Sequence, residues 1–168
     1  MTEKIFINRV ADEGDILSKF LHLLNEMKVD YCVIGGLAVN AYCEPVVSLD
    51  LDVVVVAPAI DELVKSAERI FTIKRFRHSI NLESPDSDLR IQLQTDPSYQ
   101  DFIKRAEKKK VLGYEMMVAD LEDVLKGKLW AYSDEEKRRS KRQKDLADIF
   151  RLVENHPHLQ GLLPDSIK

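Results

Sequence analysis

Apolar residues Ile16, Phe20, Leu24 and Met27 recur at helical spacing and predict an amphipathic helix from Val10 to Met27. The stretch "DYCVIGG" then reads as a short buried strand closed by glycine, and "GLAVNAYCE" returns to helical character. Glu44-Pro45 ends that helix, because proline restricts the residue before it and lacks a donor. "SLDLDVVVVA" has the highest β-branched content in the chain and predicts its strongest strand. Pro58 opens a helix through "AIDELVKSAERIF".

Two further strands are expected, from Thr72 to Asn81 and from Asp88 to Thr95. In the second, Leu89, Ile91 and Leu93 face one way, while Asp88, Arg90, Gln92, Gln94 and Asp96 face the other. Beyond Pro97 the pattern turns helical in three segments: "SYQDFIKRAEKKK", "DLEDVLKGKLWAY" and "DEEKRRSKRQKDLADIFRLVENH". A poorly structured tail begins at His156-Pro157. This order predicts an α/β (α+β) fold, a small mixed β-sheet flanked by helices. Residues 1–97 would form the sheet core, and residues 98–168 a helical C-terminal portion packed on it.

Composition changes that picture little. With 168 residues, 45% hydrophobic and 32% charged, the chain can bury one good core. A net charge of -4 argues against a molecule that is wholly an electrostatic clamp for nucleic acid, so any anion-binding surface is local. Cys32 and Cys43 lack ligand-like spacing and read as reduced, mostly buried thiols. No stretch approaches eighteen apolar residues and "MTEKIFINRVADEGD" has no apolar signal core, so a cytoplasmic protein with no membrane partner is expected.

Two features carry chemistry. Gly35 and Gly36 stand where a strand meets a helix, a junction that serves as a tight turn or as a close approach for phosphate. Asp50 and Asp52 are two apart in a strand, so their carboxylates project to one face. Such a pair repels unless solvent or a cation relieves it, and Mg2+ favours this kind of oxygen ligand together with substrate phosphates. Solvated acids at an exposed strand start are the plain alternative; Val53 to Val56, which want burial, argue against it.

"GGLAVNAY" followed by "SLDLDVVV" resembles the signature of the nucleotidyltransferase superfamily with the DNA polymerase β-like fold, closest to minimal nucleotidyltransferases and abortive-infection-type nucleotidyltransferase toxins. The resemblance implies that Gly35 and Gly36 contact the triphosphate and that Asp50 and Asp52 ligate Mg2+. Asn40 would orient the turn or touch a phosphate, or else be a helix-surface asparagine. The implied activity is transfer of a nucleoside monophosphate from a nucleoside triphosphate such as ATP to a hydroxyl of RNA, a protein or a small molecule. A toxin–antitoxin role with a cognate antitoxin-like protein belongs to the same implication.

One position departs from that pattern. The family supplies a third carboxylate from a neighbouring strand, and the aligned residue here is Gln92, which can coordinate through its carbonyl oxygen but cannot act as a base. Asp96 and Asp88 lie on the same face, four residues away or about 13 Å in a straight strand. A bend before Pro97 would bring Asp96 closer. Gln92 therefore leaves open a catalytically impaired module that binds nucleotide or a partner protein without turnover.

In the C-terminal part, Lys128 falls inside the apolar stripe of its helix, either snorkelling to the edge or aimed at a triphosphate as the family's lysine is. "RQKDLADI" resembles the Lys-Asp-x-x-Asp motif of the toxin-like members. Lys144, Asp145 and Asp148 would then serve the nucleotide, or Asp145 would pair with Lys128 to lock two helices. "KRRSKRQK" carries six basic residues in eight, readable as a solvated helix face or as a phosphate contact.

Overall fold

The computed structural model describes residues 15–167. One seven-stranded mixed sheet organises it: β1 (Tyr31–Ile34), β2 (Asp50–Val55), β3 (Thr72–Arg75), β4 (Ser79–Glu83), β5 (Arg90–Gln94), β6 (Glu107–Val111) and β7 (Tyr114–Val118). Their spatial order is β3-β4-β5-β2-β1-β7-β6. The β2–β5 and β1–β7 pairs are parallel, and the remaining neighbours are antiparallel. Among the described residues five α-helices accompany the sheet: α1 (Ile16–Glu26), α2 (Gly35–Val39), α3 (Ile60–Ala67), α4 (Leu121–Ser133) and α5 (Arg139–Asn155). The expected mixed sheet flanked by helices is therefore the observed architecture.

Strand register sorts the residues into two faces. Leu51, Val53, Ile91, Leu93, Ile80 and Leu82 are in register across β2, β5 and β4, and all are buried. Asp50, Asp52, Gln92 and Gln94 project to the other face, which α4 and α5 overhang. Phe20 and Leu24 of α1 and Leu63 and Val64 of α3 join the same continuous core, with Phe20 edge-on to Phe71.

The first described helix starts at Ile16 and is capped by Asp15, whose carboxylate accepts from the Ser18 N–H at 3.2 Å. The expected start at Val10 lies outside the described residues. The strand expected from Thr72 to Asn81 is two strands of a hairpin, closed where Phe76 N–H donates to Ser79 carbonyl at 2.8 Å. Its second strand runs on to Glu83.

A larger correction concerns "KRAEKKKVLGYEMMV". Residues 97–105 form a 3-10 turn rather than an α-helix, and the lysines that follow belong to the β6–β7 hairpin. Leu112 and Gly113 both take positive φ, 49° and 89°, as a two-residue turn matched to strand twist requires. Met116 and Val118 alternate inward, and β7 joins β1 through Val33 and Val118. Lys108 to Lys110 lie on the outermost strand, where charge discourages pairing with other chains. Lysine's ordinary helical preference pointed the other way.

The 97–105 turn is fastened to α4. Arg105 makes a two-pronged contact with the buried Asp123, Nε to Oδ2 at 2.7 Å and Nη2 to Oδ1 at 3.1 Å. Tyr99 and Phe102 pack against Trp130 with ring centroids 5.0 and 5.5 Å apart.

Candidate active site

β1 ends beside the middle of the acidic strand, because Ile34 is in register with Asp52. The chain turns at once: Gly35 has φ 73°, where an L side chain is strained, and a Cβ there would collide with the Asp52 carboxylate. Glycine at position 35 is therefore required by both backbone and space. Gly36 is less constrained, since a Cβ would stand 3.4 Å from Ser48 Oγ and 3.8 Å from Asp148 Oδ2. The result is a cleft of about 400 Å³ whose floor holds Gly35, Gly36, Asp50 and Asp52.

The two carboxylates differ in surroundings. Asp50 has a side chain 44% exposed, with Arg90 Nε 3.6 Å away. Asp52 is deeper, and burial pushes its carboxyl from 3.8 up to about 6, with the Asp50 charge adding to the rise and Lys128 opposing it. A carboxylate kept in a poorly solvated place beside a second one suits a hard cation. Two carboxylates and the neighbouring Gln92 amide are the oxygen donors that the cleft floor would offer such an ion. Among the described residues no group of three His, Cys, Asp or Glu side chains is disposed to hold a metal.

Gln92 sits directly beside Asp52 in register, the place expected for a third carboxylate. Neither same-face alternative fills it. Asp96 turns its carboxylate to the start of the 97–105 segment, accepting from Ser98 N–H at 3.0 Å and Ser98 O–H at 2.8 Å. The backbone N–H bond leads in holding that carboxyl below its ordinary value. Asp96 does not line the cleft, and Asp88 is exposed outside it.

Lys128 does not snorkel. It is 7% exposed, with Nζ 3.0 Å from Asp145 Oδ1 and 2.8 Å from Asp148 Oδ2, the latter an ion contact without hydrogen-bond alignment. Burial alone would depress its ammonium, but Asp148 and Asp145 outweigh that effect and hold it above its ordinary value. Lys137 Nζ reaches Asp145 Oδ2 at 2.6 Å, so Asp145 is clamped between two lysines.

The chain of ion pairs continues away from the cleft. Arg151 contacts Asp148 Oδ1 at 2.9 Å, Asn40 Oδ1 at 3.1 Å and Glu44 carbonyl at 2.7 Å. Asn40 in turn brackets Val46, donating to its carbonyl at 2.7 Å and accepting its N–H at 3.0 Å. Asn40 and Asp148 therefore brace the segment after α2 and do not line the cleft.

Of the lysines on the cleft wall, Lys144 was expected by number, while Lys137 and Lys141 escaped the sequence reading as individuals. Lys141 and Lys144 of α5 face the cleft together with Ser140, and Lys137 reaches it from the turn before α5, whereas Arg142 turns aside to the Tyr132 carbonyl. The basic run thus splits by face, and its 3.6-residue period carried that signal. Ser48 and Tyr99 reach the cleft from a loop and from the 3-10 turn, where no periodicity marks them. Neither cysteine is in a disulfide: Cys32 is buried and Cys43 half-buried, and burial pushes Cys32 up to about 12.

No family model and no curated protein matches the sequence. Solved structures match the fold. A lincomycin-bound lincosamide antibiotic adenylyltransferase, LnuA, aligns at TM-score 0.55 and 13% identity over 81% of this chain and 95% of its own. The antibiotic-resistance factor ANT(2'')-Ia aligns at 0.59 and 11% identity over 88% and 91%. An antigenic nucleotidyltransferase-like protein from Paracoccidioides brasiliensis aligns at 0.53 and 19% identity over 86% and 76%. The class this architecture defines is the nucleotidyltransferase fold, and the chain has it.

Proposed function

We propose that the protein is a Mg2+-dependent nucleotidyltransferase that moves a nucleoside monophosphate from a nucleoside triphosphate to an acceptor hydroxyl, releasing pyrophosphate. The observation that carries this reading is the fit of Gly35 against Asp52: the turn and the acidic strand are built around each other at one cleft floor. Likeness of fold to an adenylyltransferase and to ANT(2'')-Ia, one of whose structures contains adenylyl-2''-tobramycin, supports the same chemistry.

In this reading Asp50 and Asp52 hold the cation, which when bound would neutralise charge on the phosphate and acceptor oxygens. The backbone at Gly35 and Gly36 lets the phosphates approach without a side chain in the way. Lys137, Lys141 and Lys144 line the wall and attract the polyanion. Lys128, Asp145 and Asp148 fix α4 to α5, so the lysine wall keeps its distance from the carboxylate floor. With so many lysines on the wall, a neutral or anionic acceptor, such as RNA or a small hydroxylated molecule, suits the cleft better than a polycation. A toxin-like role with a cognate partner rests on the resemblance of "RQKDLADI" alone. Among the described residues no helix is long and apolar enough to cross a membrane.

Gln92 beside Asp52 favours a second reading, a module that binds nucleotide without turnover. Incubation with each labelled nucleoside triphosphate, Mg2+ and total cellular RNA or protein separates the two. Label transfer abolished by Asp50→Ala/Asp52→Ala supports the enzyme. Nucleotide binding with no transfer under any condition supports the second reading.

A further inference from the structure

We propose that Asn81 is a positioning residue: it turns the Gln92 side-chain amide so that the Gln92 carbonyl oxygen faces Asp52 and completes the cation site as a third, neutral oxygen ligand. This inference rests on the Asp50–Asp52 cation site proposed above.

Asn81, Gln92 and Asp52 form one row across three neighbouring strands, with Asn81 in register with Gln92 and Gln92 in register with Asp52. Side chains so placed project to the same face, with Cβ atoms about 5 Å apart. Asn81 is only 8% exposed, and its Oδ1 has no hydrogen-bond donor among the described residues. Buried amide oxygens almost always have a donor. On the other side of Asn81 stands Lys74, but its Nζ is committed to Glu83 Oε2 at 2.9 Å. The remaining neighbour in the row is Gln92, which lines the cleft and has no side-chain hydrogen bond among the described residues.

The chemistry of the amide does the rest. Its NH2 donor and carbonyl acceptor lie on opposite sides of one carbon. Once Gln92 Nε2 donates to Asn81 Oδ1, Gln92 Oε1 is directed away from β4 and toward Asp52. Two neighbouring amides that lack partners are satisfied together, one by the other and the second by the cation. Glutamine at this position then provides a ligand oxygen without adding a third negative charge to the cleft floor.

The test is calorimetric titration of Mn2+ alone into the wild type, Asn81→Leu, Gln92→Glu and the double variant. Asn81→Leu is expected to weaken Mn2+ about tenfold, as loss of an outer hydrogen bond to a ligand does. In the Gln92→Glu background the same change is expected to have no effect, because either oxygen of a carboxylate can face the ion. Asn81→Ala, which removes the acceptor without adding bulk, repeats the comparison if the leucine variant does not fold.

Unchanged Mn2+ affinity in a folded Asn81 variant overturns the proposal. So does an equal loss in both backgrounds, which marks general damage to the sheet. Binding that depends on Asp52 but not on Asn81 removes only this inference. Wild-type binding that is absent, or that survives Asp52→Asn, removes the cation site and the inference with it.

Discussion

Asp52→Asn is expected to stabilise the metal-free protein at neutral pH while abolishing its response to divalent cations. The magnitude follows from the surroundings of the carboxyl, which burial moves from 3.8 to about 6. At about 1.4 kcal/mol per tenfold change, ionised Asp52 costs the folded state about 3 kcal/mol above pH 6. Water in the open cleft screens part of this, leaving about 1–3 kcal/mol. The sign is that of a raised acid: between pH 3.8 and about 6 the native state binds more protons than the unfolded one, so stability falls as pH rises through that window. An asparagine carries no such cost. Urea unfolding of both proteins in chelator from pH 4 to pH 8 should show curves that converge at the acid end and separate at the alkaline end, the variant being more stable. Added Mg2+ should raise the wild type and leave the variant unmoved. A variant less stable than wild type at pH 8, with a gap that does not change with pH, would refute this account of Asp52.

Gly35→Ala meets the Asp52 carboxylate and a φ of 73°, and is expected to cost at least about 2 kcal/mol in urea unfolding, whereas Gly36→Ala should cost less than about 1. Lys128→Met leaves two buried carboxylates facing each other and should destabilise by about 3–5 kcal/mol; adding Asp145→Asn and Asp148→Asn should recover much of that by thermal denaturation. Lys141→Gln/Lys144→Gln should change stability by less than about 0.5 kcal/mol. The same pair should weaken nucleotide binding and flatten its salt dependence, read by fluorescence titration at two ionic strengths.

The central strands were legible because their patterns are strong and local. Val53 to Val55 and the alternation of Leu89, Ile91 and Leu93 gave β2 and β5, and two-residue spacing placed both aspartates on one face. Their meeting with Gly35 was legible only through the resemblance, since that contact depends on antiparallel register between β1 and β2. The β6–β7 hairpin was hidden: its outer strand is mostly lysine and glutamate, which serve a sheet edge and an exposed helix equally well. Asp96 was drawn toward the cation by strand alternation, but Pro97 redirects the chain and a local N-cap takes the carboxylate. Arg151 left no trace in periodicity, because its role is to join residues more than a hundred positions away.

That last tie bears on how the molecule comes into being. Lys128, the brace behind Gly36 and the segment that follows α2 all depend on side chains of α5, which is made well after the strands of the cleft floor. A nascent chain on the ribosome can pair β1, β2 and β5 long before those side chains emerge. Its acidic floor would exist, but the lysine wall would not, so the finished cleft has to wait for α5.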